Sequence, residues 1–524
     1  MRSGVLDFLT AHAQSTPGKL AAIDDRPDGT QRKFTFEELE ARSNRLAHAL
    51  RGAGVRAHDR IAWCGRNSLE VLVFVHAARK LSATSVALNY RFTEEETAYV
   101  LTDSDSVAAW VDAEFAERFA AIAPRVAELR TVVVFDGEPA AGQIRAEDFL
   151  AGQPEKPPAD EASKRGTPLT MHYTSGTTGQ PKGAIRGSVG RSDQEEELPN
   201  VLDLIGYGPG EVYLTAGPLY HSGPGDMATL STMLGNTVVL QRRFDPEDWL
   251  RLVDTYKVTS IYAAPTPIRR VCRLPAEVKA RYDRSSIRIA MAGAAPWSYA
   301  LKLAYLENFP ENSLWEVYGS TELGLNTMLE PADQRRKPGS CGKPIPGIEI
   351  ALFDDNGVRI TEPGQPGELY VKSPLVFDQY HKRAEETRQA RRGDFASVGD
   401  IAYFDEEGFY YICDRKVDMI ISGGMNIYPA EVEAALELHP DVDEAAVFGI
   451  PSEEWGESVH AVVVPKSGVD PSDAELEEHL RKQLAGFKIP RSFERRRELP
   501  KNEAGKILKR ELREPHWQGR DRKV

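Results

Sequence analysis

The first part of the chain alternates short apolar runs with amphipathic stretches. Arg60–Cys64 reads as a buried strand. Asn67 followed by Glu70 has the spacing of a capping box and predicts a helix through about Lys80. Ala83–Leu88 reads as the next strand, Thr93 with Glu96 opens another helix, and Val107–Val111 returns as a strand. Repeats of this kind imply a mostly parallel sheet covered by helices, because parallel neighbours need a crossover connection.

Gly152–Pro168, rich in Pro, Lys, Glu and Asp, reads as a surface connection. A second βα region follows, with strands predicted at Glu211–Ala216, Thr237–Leu240, Ser260–Ala263 and Ile287–Met291. Gly347–Phe353 and Gly367–Ser373, punctuated by Gly and Pro turns, predict an antiparallel, barrel-like section. From about Asp418 the pattern changes. Pro429 suits the first helical position before Glu431–Leu438, Glu444–Phe448 and Ser458–Val464 alternate as strands, and Ser472 with Glu475 caps a helix to Leu484. The predicted fold class is α/β: a large N-terminal domain of βαβ-type sheets plus a barrel-like β section, followed by a small α+β unit.

At 524 residues the chain exceeds what one core usually supports, so at least two domains are expected. A formal charge of −14 argues against nucleic acid as the main partner. Charge is nevertheless uneven, since Arg481–Val524 carries 15 basic and 6 acidic residues. A solvated basic tail accounts for this, as does a surface that meets a polyphosphate. Cys64, Cys272, Cys341 and Cys413 lie far apart, which fits neither a zinc site nor a disulfide scaffold. No apolar run approaches the roughly 20 residues that span a bilayer, and Met1–Pro17 has no signal-peptide core. A cytoplasmic protein is expected. A homodimer is left open.

The run Tyr173-Thr174-Ser175-Gly176-Thr177-Thr178-Gly179-Gln180-Pro181-Lys182-Gly183 offers little to a core and much to an anion. Glycine lets the backbone approach a ligand closely. Successive N–H groups and the Thr174, Ser175, Thr177 and Thr178 hydroxyls can wrap phosphate oxygens, with Lys182 as the adjacent positive charge. The run lacks the spacing of the common P-loop. Read as a flexible linker, it leaves the closing Pro-Lys-Gly step unexplained.

Four weaker clusters lie further along the chain. Tyr318-Gly319-Ser320-Thr321-Glu322 sets an aromatic face, a tight turn, a hydroxyl and a carboxylate together. Gly293-Ala294-Ala295 is small enough for a flat base to lie on its backbone, and Asp400, after Gly399, can accept from two hydroxyls. Lys506 follows Gly505 near the end. Taken alone, Asp400 and the Gly293–Ala295 segment are equally ordinary turns, Tyr318–Glu322 is better read as a turn, and Lys506 as a solvated charge.

In chain order, the phosphate run, Tyr318–Glu322, Asp400, Asp414-Arg415 and Gly505-Lys506 resemble the adenylate-forming superfamily of acyl-CoA synthetases, adenylation domains and luciferases, a similarity that runs from Phe34-Thr35-Phe36 to Lys506-Ile507-Leu508. The resemblance implies an N-terminal domain over residues 1–414, a hinge at 415–418, and a mobile C-terminal lid over 419–524. It implies attack of a carboxylate on the α-phosphorus of ATP, release of pyrophosphate, and opening of the acyl-adenylate by a thiol. Thr174, Ser175, Gly176, Thr177, Thr178, Gly179 and Lys182 would then hold the phosphates. Glu322 would anchor Mg²⁺, Tyr318, Gly319, Thr321 and the Gly293–Ala295 segment would surround adenine and phosphate, and Asp400 with Arg415 would take the ribose. Catalysis would rest on Lys506, Glu322, Thr178 and Lys182, with Lys506 bridging the acyl carboxylate and the α-phosphate. Val417 departs from the family's usual Asp or Lys at the pivot.

CoA is the expected acceptor. Gly423-Gly424-Met425-Asn426-Ile427-Tyr428-Pro429 resembles the pantetheine-tunnel loop of CoA ligases, and Trp455, Phe487, Lys488 and Arg491 match positions that meet the CoA nucleotide in some relatives. His221 matches the residue gating the acyl pocket, whose walls would include Gly223, Ala263, Ala264, Gly293 and Gly324. These walls are mainly apolar and predict a fatty, alicyclic or aryl acid. An enzyme loading a carrier protein and a catalytically silent nucleotide sensor are the alternatives.

Overall fold

The computed structural model describes residues 7–158, 170–174, 181–186, 202–415, 418–423, 425–501 and 506–518. Ser175–Gln180, Lys416, Val417, Gly424 and Gly505 lie outside the described residues. So do the calls made on Ser175, Gly176, Thr177, Thr178 and Gly179 in the phosphate run.

Two large sheets with parallel centres dominate the first four hundred residues. In the eight-stranded sheet Arg60–Cys64 lies between Thr84–Leu88 and Ser106–Asp112, all parallel; Lys182–Ile185 runs antiparallel to Thr170–Thr174, and Gln379–Tyr380 forms the edge beyond it. In the nine-stranded sheet Val212–Thr215, Ser260–Ala263, Ile289–Ala292 and Leu314–Ser320 run parallel, and Gly324–Leu329 turns back antiparallel. The helix Leu69–Lys80 packs in the core shared by the two sheets. Apolar residues surround it on nearly all sides, as a helix without a solvent face requires.

A seven-stranded sheet follows, with antiparallel pairing throughout, including Glu349–Phe353 on Gly367–Lys372 and Asp400–Phe404 on Tyr410–Arg415. The fourth sheet is built on the long hairpin Val442–Ser452 and Gly456–Pro465. It is covered by the helices Pro429–Glu437 and Asp473–Arg481 and has its own core of Val432, Leu436, Val447, Val463, Leu476 and Leu480. The expected α/β architecture and antiparallel section are therefore present. Thr93/Glu96 and Ser472/Glu475 form true capping boxes.

Two expectations are corrected. The helix after Ser472 ends at Arg481, three residues early, with Lys482 as its C-cap. Asn67 and Glu70 do not form a capping box: the helix starts at Leu69, with Ser68 in extended backbone before it. Asn67 instead donates to the carbonyls of Gly217 and Gln241 and accepts from the Leu219 N–H, which ties the two large sheets together. Glu70 is fully buried between Arg32 and Arg42 at 3.0 Å each. No helix of the described residues is long and apolar enough to cross a membrane.

Candidate active site

Lys182 sits where the phosphate run ends. Thr174 and Lys182 are register partners in an antiparallel pair. The Lys182 ammonium lies 5.6 Å from the centre of the Tyr380 ring, and the Tyr380 hydroxyl donates to Glu322 Oε1 at 3.0 Å. Burial, with the Glu322 carboxylate beside it, pushes the Tyr380 hydroxyl up, so it remains a donor. The Lys182–Tyr380–Glu322 relay brings two predicted residues to one place through a third that the sequence reading missed.

Glu322 belongs to a three-residue turn between the strands ending at Ser320 and beginning at Gly324. The Leu323 N–H donates to the Ser320 hydroxyl at 3.1 Å, and Gly324 takes φ +72°, which a side chain would oppose. A Cβ on Gly319 would sit 2.2 Å from the Gly324 carbonyl oxygen, so the bulge at this position requires glycine. The Thr321 hydroxyl meets that of Ser222 at 3.3 Å.

The ribose candidates also converge. Asp400 and Arg415 are opposite one another in the antiparallel pair, with Arg415 Nε 3.5 Å from Asp400 Oδ1. Tyr318 donates to the other oxygen, Oδ2, at 2.6 Å. Burial and then the Asp400 carboxylate push the Tyr318 hydroxyl well up. Gly293–Ala295 follows the strand Ile289–Ala292, next to the strand carrying Tyr318. Ala294 holds φ +69°, a strained angle for a residue with a Cβ.

Lys506 joins this group from the far end of the chain. Burial lowers its pKa first, and Arg415 lowers it further, while Asp400 and Asp418 act to raise it. The ammonium thus shares the electrostatic field of the Asp400–Arg415 pair. Beside it, Asp414 accepts from the Ala430 N–H at 3.1 Å and pairs with Lys509 at 3.3 Å, and Lys509 also pairs with Glu433 at 2.9 Å.

Among the predicted CoA contacts, three come together. The Gly423 N–H donates to the Trp455 carbonyl at 2.8 Å, and Arg491 stacks 4.7 Å over the Trp455 ring. A Cβ on Gly423 would lie 2.8 Å from that ring. Phe487 is exposed on the turn Gly486–Lys488, and Lys488 pairs with Glu431 at 2.7 Å.

Two of the acyl candidates, Gly223 and Gly293, lie against Tyr262. Tyr262 projects from the strand Ser260–Ala263, and a Cβ at Gly223 or Gly293 would lie 2.5 Å or 2.9 Å from its hydroxyl. Ala264 caps the next helix, and His221 precedes the helix Ser222–Met233 with its ring 4.5 Å from that of Tyr220. Burial, and then His172, lower the His221 pKa to about 4. The expectation of mainly apolar walls is incomplete. Arg186 lies by Gly324 and pairs with Asp226 at 3.0 Å, and His172 stands 3.6 Å from the same carboxylate. Burial opposes ionisation of Asp226, but His172 and Arg186 together outweigh it.

This arrangement has a family. The AMP-binding enzyme family matches residues 9–381, and the AMP-binding enzyme C-terminal domain matches residues 431–506. The chain belongs to that family. It is 33% identical to a fatty acid–[acyl-carrier-protein] ligase of Streptomyces coeruleorubidus, over 98% of this chain and 96% of the relative. It is 37% identical to a feruloyl-CoA synthase of an Amycolatopsis species, over 92% of this chain and 93% of the relative. Among solved structures, the anthranilate CoA ligase AuaEII in complex with anthranoyl-AMP superposes with a TM-score of 0.87 at 27% identity, covering 97% of this chain and 96% of that one. The AMP-binding family is part of the adenylate-forming superfamily that the motif order resembles, and the relatives' names carry the expected activity of joining an acid to a thiol.

Proposed function

We propose that the protein is an ATP-dependent aryl-CoA ligase. It converts an aromatic carboxylic acid, ATP and CoA into the acyl-CoA, AMP and pyrophosphate. The observation that carries this reading is the meeting of Tyr318, Asp400 and Arg415 with the field of Lys506, polar groups drawn from three distant chain segments.

In the first step a carboxylate oxygen attacks the α-phosphorus, the bond to the pyrophosphate oxygen breaks, and an acyl-adenylate remains. Asp400 accepts from the ribose hydroxyls with its orientation held by Tyr318 and Arg415. Lys182, with Thr174, Ser175, Gly176, Thr177, Thr178 and Gly179, holds the leaving phosphates. Lys506 balances charge developing between carboxylate and phosphorus, a preorganised contact that needs no rearrangement during reaction. The Glu322 carboxylate, beside the Thr321 hydroxyl, suits a hard divalent cation such as Mg²⁺. Such an ion supplies neutralisation of the departing pyrophosphate.

In the second step the CoA sulfur attacks the acyl carbonyl carbon and AMP leaves with the bonding pair. Gly423, Gly424, Trp455, Phe487, Lys488 and Arg491 line the CoA route, where the exposed Phe487 ring and the Arg491 guanidinium suit a nucleotide. Residues 415–418 form the hinge between an N-terminal domain, 1–414, and a lid, 419–524. An aromatic acid is supported by two of the three relatives named above, the feruloyl-CoA synthase and the anthranilate CoA ligase. Loading of a carrier protein is the second reading, favoured by the fatty acid–[acyl-carrier-protein] relative.

The test is a panel of aromatic and aliphatic acids with Mg-ATP, scoring pyrophosphate, AMP and thioester with free CoA and with a phosphopantetheinylated carrier protein. Thioester from free CoA with an aromatic acid supports the reading. Thioester on the carrier alone replaces CoA as acceptor, and release of pyrophosphate without any acid removes the ligase assignment.

A further inference from the structure

The polar group inside the acyl wall has no part in adenylation, yet it is built in detail. Lys182 opens the strand Lys182–Ile185 and Arg186 follows its last residue, so the two side chains leave the chain at opposite ends of one short strand. Lys182 marks the phosphate end through Tyr380 and Glu322. Arg186 marks the other end, where a Cβ on Gly324 would lie 3.3 Å from its guanidinium. Arg186 pairs there with Asp226, which is one helical turn beyond Gly223 on the helix Ser222–Met233. His172, opposite Ala184 in the sheet, faces the same carboxylate, and its Nε2 is buried with no hydrogen-bond partner.

The charges in this group define what it accepts. Asp226 keeps 41% of its side-chain surface open, whereas Arg186 keeps 23% and His172 only 7%. An aliphatic end group would cover an ion pair and offer it nothing, leaving polar groups desolvated and unpaired. A second carboxylate would gain Arg186 but stand against Asp226. A neutral hydroxyl satisfies both, donating to the Asp226 carboxylate and accepting from an Arg186 N–H.

We propose that Arg186 and Asp226 form a specificity subsite for a ring hydroxyl at the end of the aromatic acid remote from its carboxylate. His172 backs the Asp226 carboxylate at 3.6 Å without hydrogen-bonding it. The subsite rests on the ligase reading above and narrows its substrate to hydroxylated aromatic acids. Water reaches part of Asp226, so discrimination falls below the ceiling set by a fully enclosed hydroxyl site and amounts to about 10–100-fold in kcat/KM.

The experiment uses the full chain, CoA and Mg-ATP, and measures kcat/KM by pyrophosphate release for matched pairs. These are para-hydroxycinnamic against cinnamic acid and para-hydroxyphenylacetic against phenylacetic acid, with terephthalic acid as the dicarboxylate. The expected result is a preference for the hydroxylated member of at least one pair, about tenfold or more, expressed mainly in KM. Asp226→Asn and Arg186→Met each reduce that ratio to within about twofold. Either variant suffices should the other not fold. The proposal is overturned by a ratio near one for both pairs, by a preference for the dicarboxylate, or by a ratio that survives both substitutions. In those cases pyrophosphate release from some acid still upholds the ligase reading. Release from no acid, or without acid, removes both.

Discussion

The Tyr318 hydroxyl donates to Asp400 Oδ2 at 2.6 Å across 82 residues of chain, while Arg415 approaches the opposite oxygen. A carboxylate held from both sides has one orientation left, and its remaining lone pairs point where a diol can meet them. Tyr318→Phe removes one support and leaves a mostly buried carboxylate short of a partner, a loss of about 1–3 kcal/mol. The expected outcome is a KM for ATP raised about tenfold in pyrophosphate-exchange kinetics. An unchanged KM would detach Asp400 from the nucleotide.

Lys506 lies near Asp400 and Arg415 and is largely withdrawn from water, which lowers its pKa without a compensating excess of negative charge. Lys506→Ala should reduce acyl-adenylate formation by about 10²–10³ while thioester formation from supplied acyl-AMP survives. The two half-reactions are separated by stopped-flow pyrophosphate release and by single-turnover transfer. Equal loss in both contradicts the proposed role.

Asp414, Lys509 and Glu433 form a partly buried ionic cluster next to the proposed hinge, with Glu433 also accepting from the Val447 N–H at 2.6 Å. Lys509→Met strands two carboxylates and should cost about 3–5 kcal/mol in urea unfolding. A cost below about 1 kcal/mol would show the cluster to be dispensable.

His221 titrates near 4 in the folded protein because burial disfavours its charged form, against an ordinary value of 6.5. The folded state therefore resists a proton that the unfolded state accepts. Stability from this group is complete above about pH 6.5 and falls as pH drops toward about 4, by on the order of 2 kcal/mol. His221→Phe should flatten this part of the pH profile of chemical denaturation. Some slope will persist, since His76 is similarly lowered to about 3, by burial first and then by Arg79.

Arg491 over Trp455 couples the basic end of the chain to the Gly423 turn. Arg491→Ala should raise KM for CoA about tenfold, with the penalty falling on the thioester half-reaction. A penalty shared equally by adenylation would place Arg491 outside the CoA route.

Local signals were read well where the partners lie within a few residues. The Ser472/Glu475 and Thr93/Glu96 boxes fold as their spacing says, because the bonded groups are three residues apart. Asn67 and Glu70 carry the same spacing and do something else: Asn67 bridges carbonyls at 217 and 241, and Glu70 takes two arginines from earlier in the chain. The polar acyl wall was missed for the same reason. Arg186 and Asp226 are 40 residues apart and separately look like surface charge. A faint signal was present, since Arg186 directly follows the strand that Lys182 opens, and that strand pairs with one carrying the buried His172.

The order of the motifs, the βαβ alternation and the glycines demanded by tight turns were properties of the chain alone, because backbone geometry and hydrogen-bond closure act over a few residues. Which carboxylates face which cations was decided only in three dimensions. Tyr318 to Asp400, Tyr380 to Glu322 and Arg186 to Asp226 are each brought together by sheet register and helix packing. Burial strengthens such pairs and penalises any ionic group left without one, so the tertiary fold, rather than the composition of each segment, sets the chemistry of the cleft.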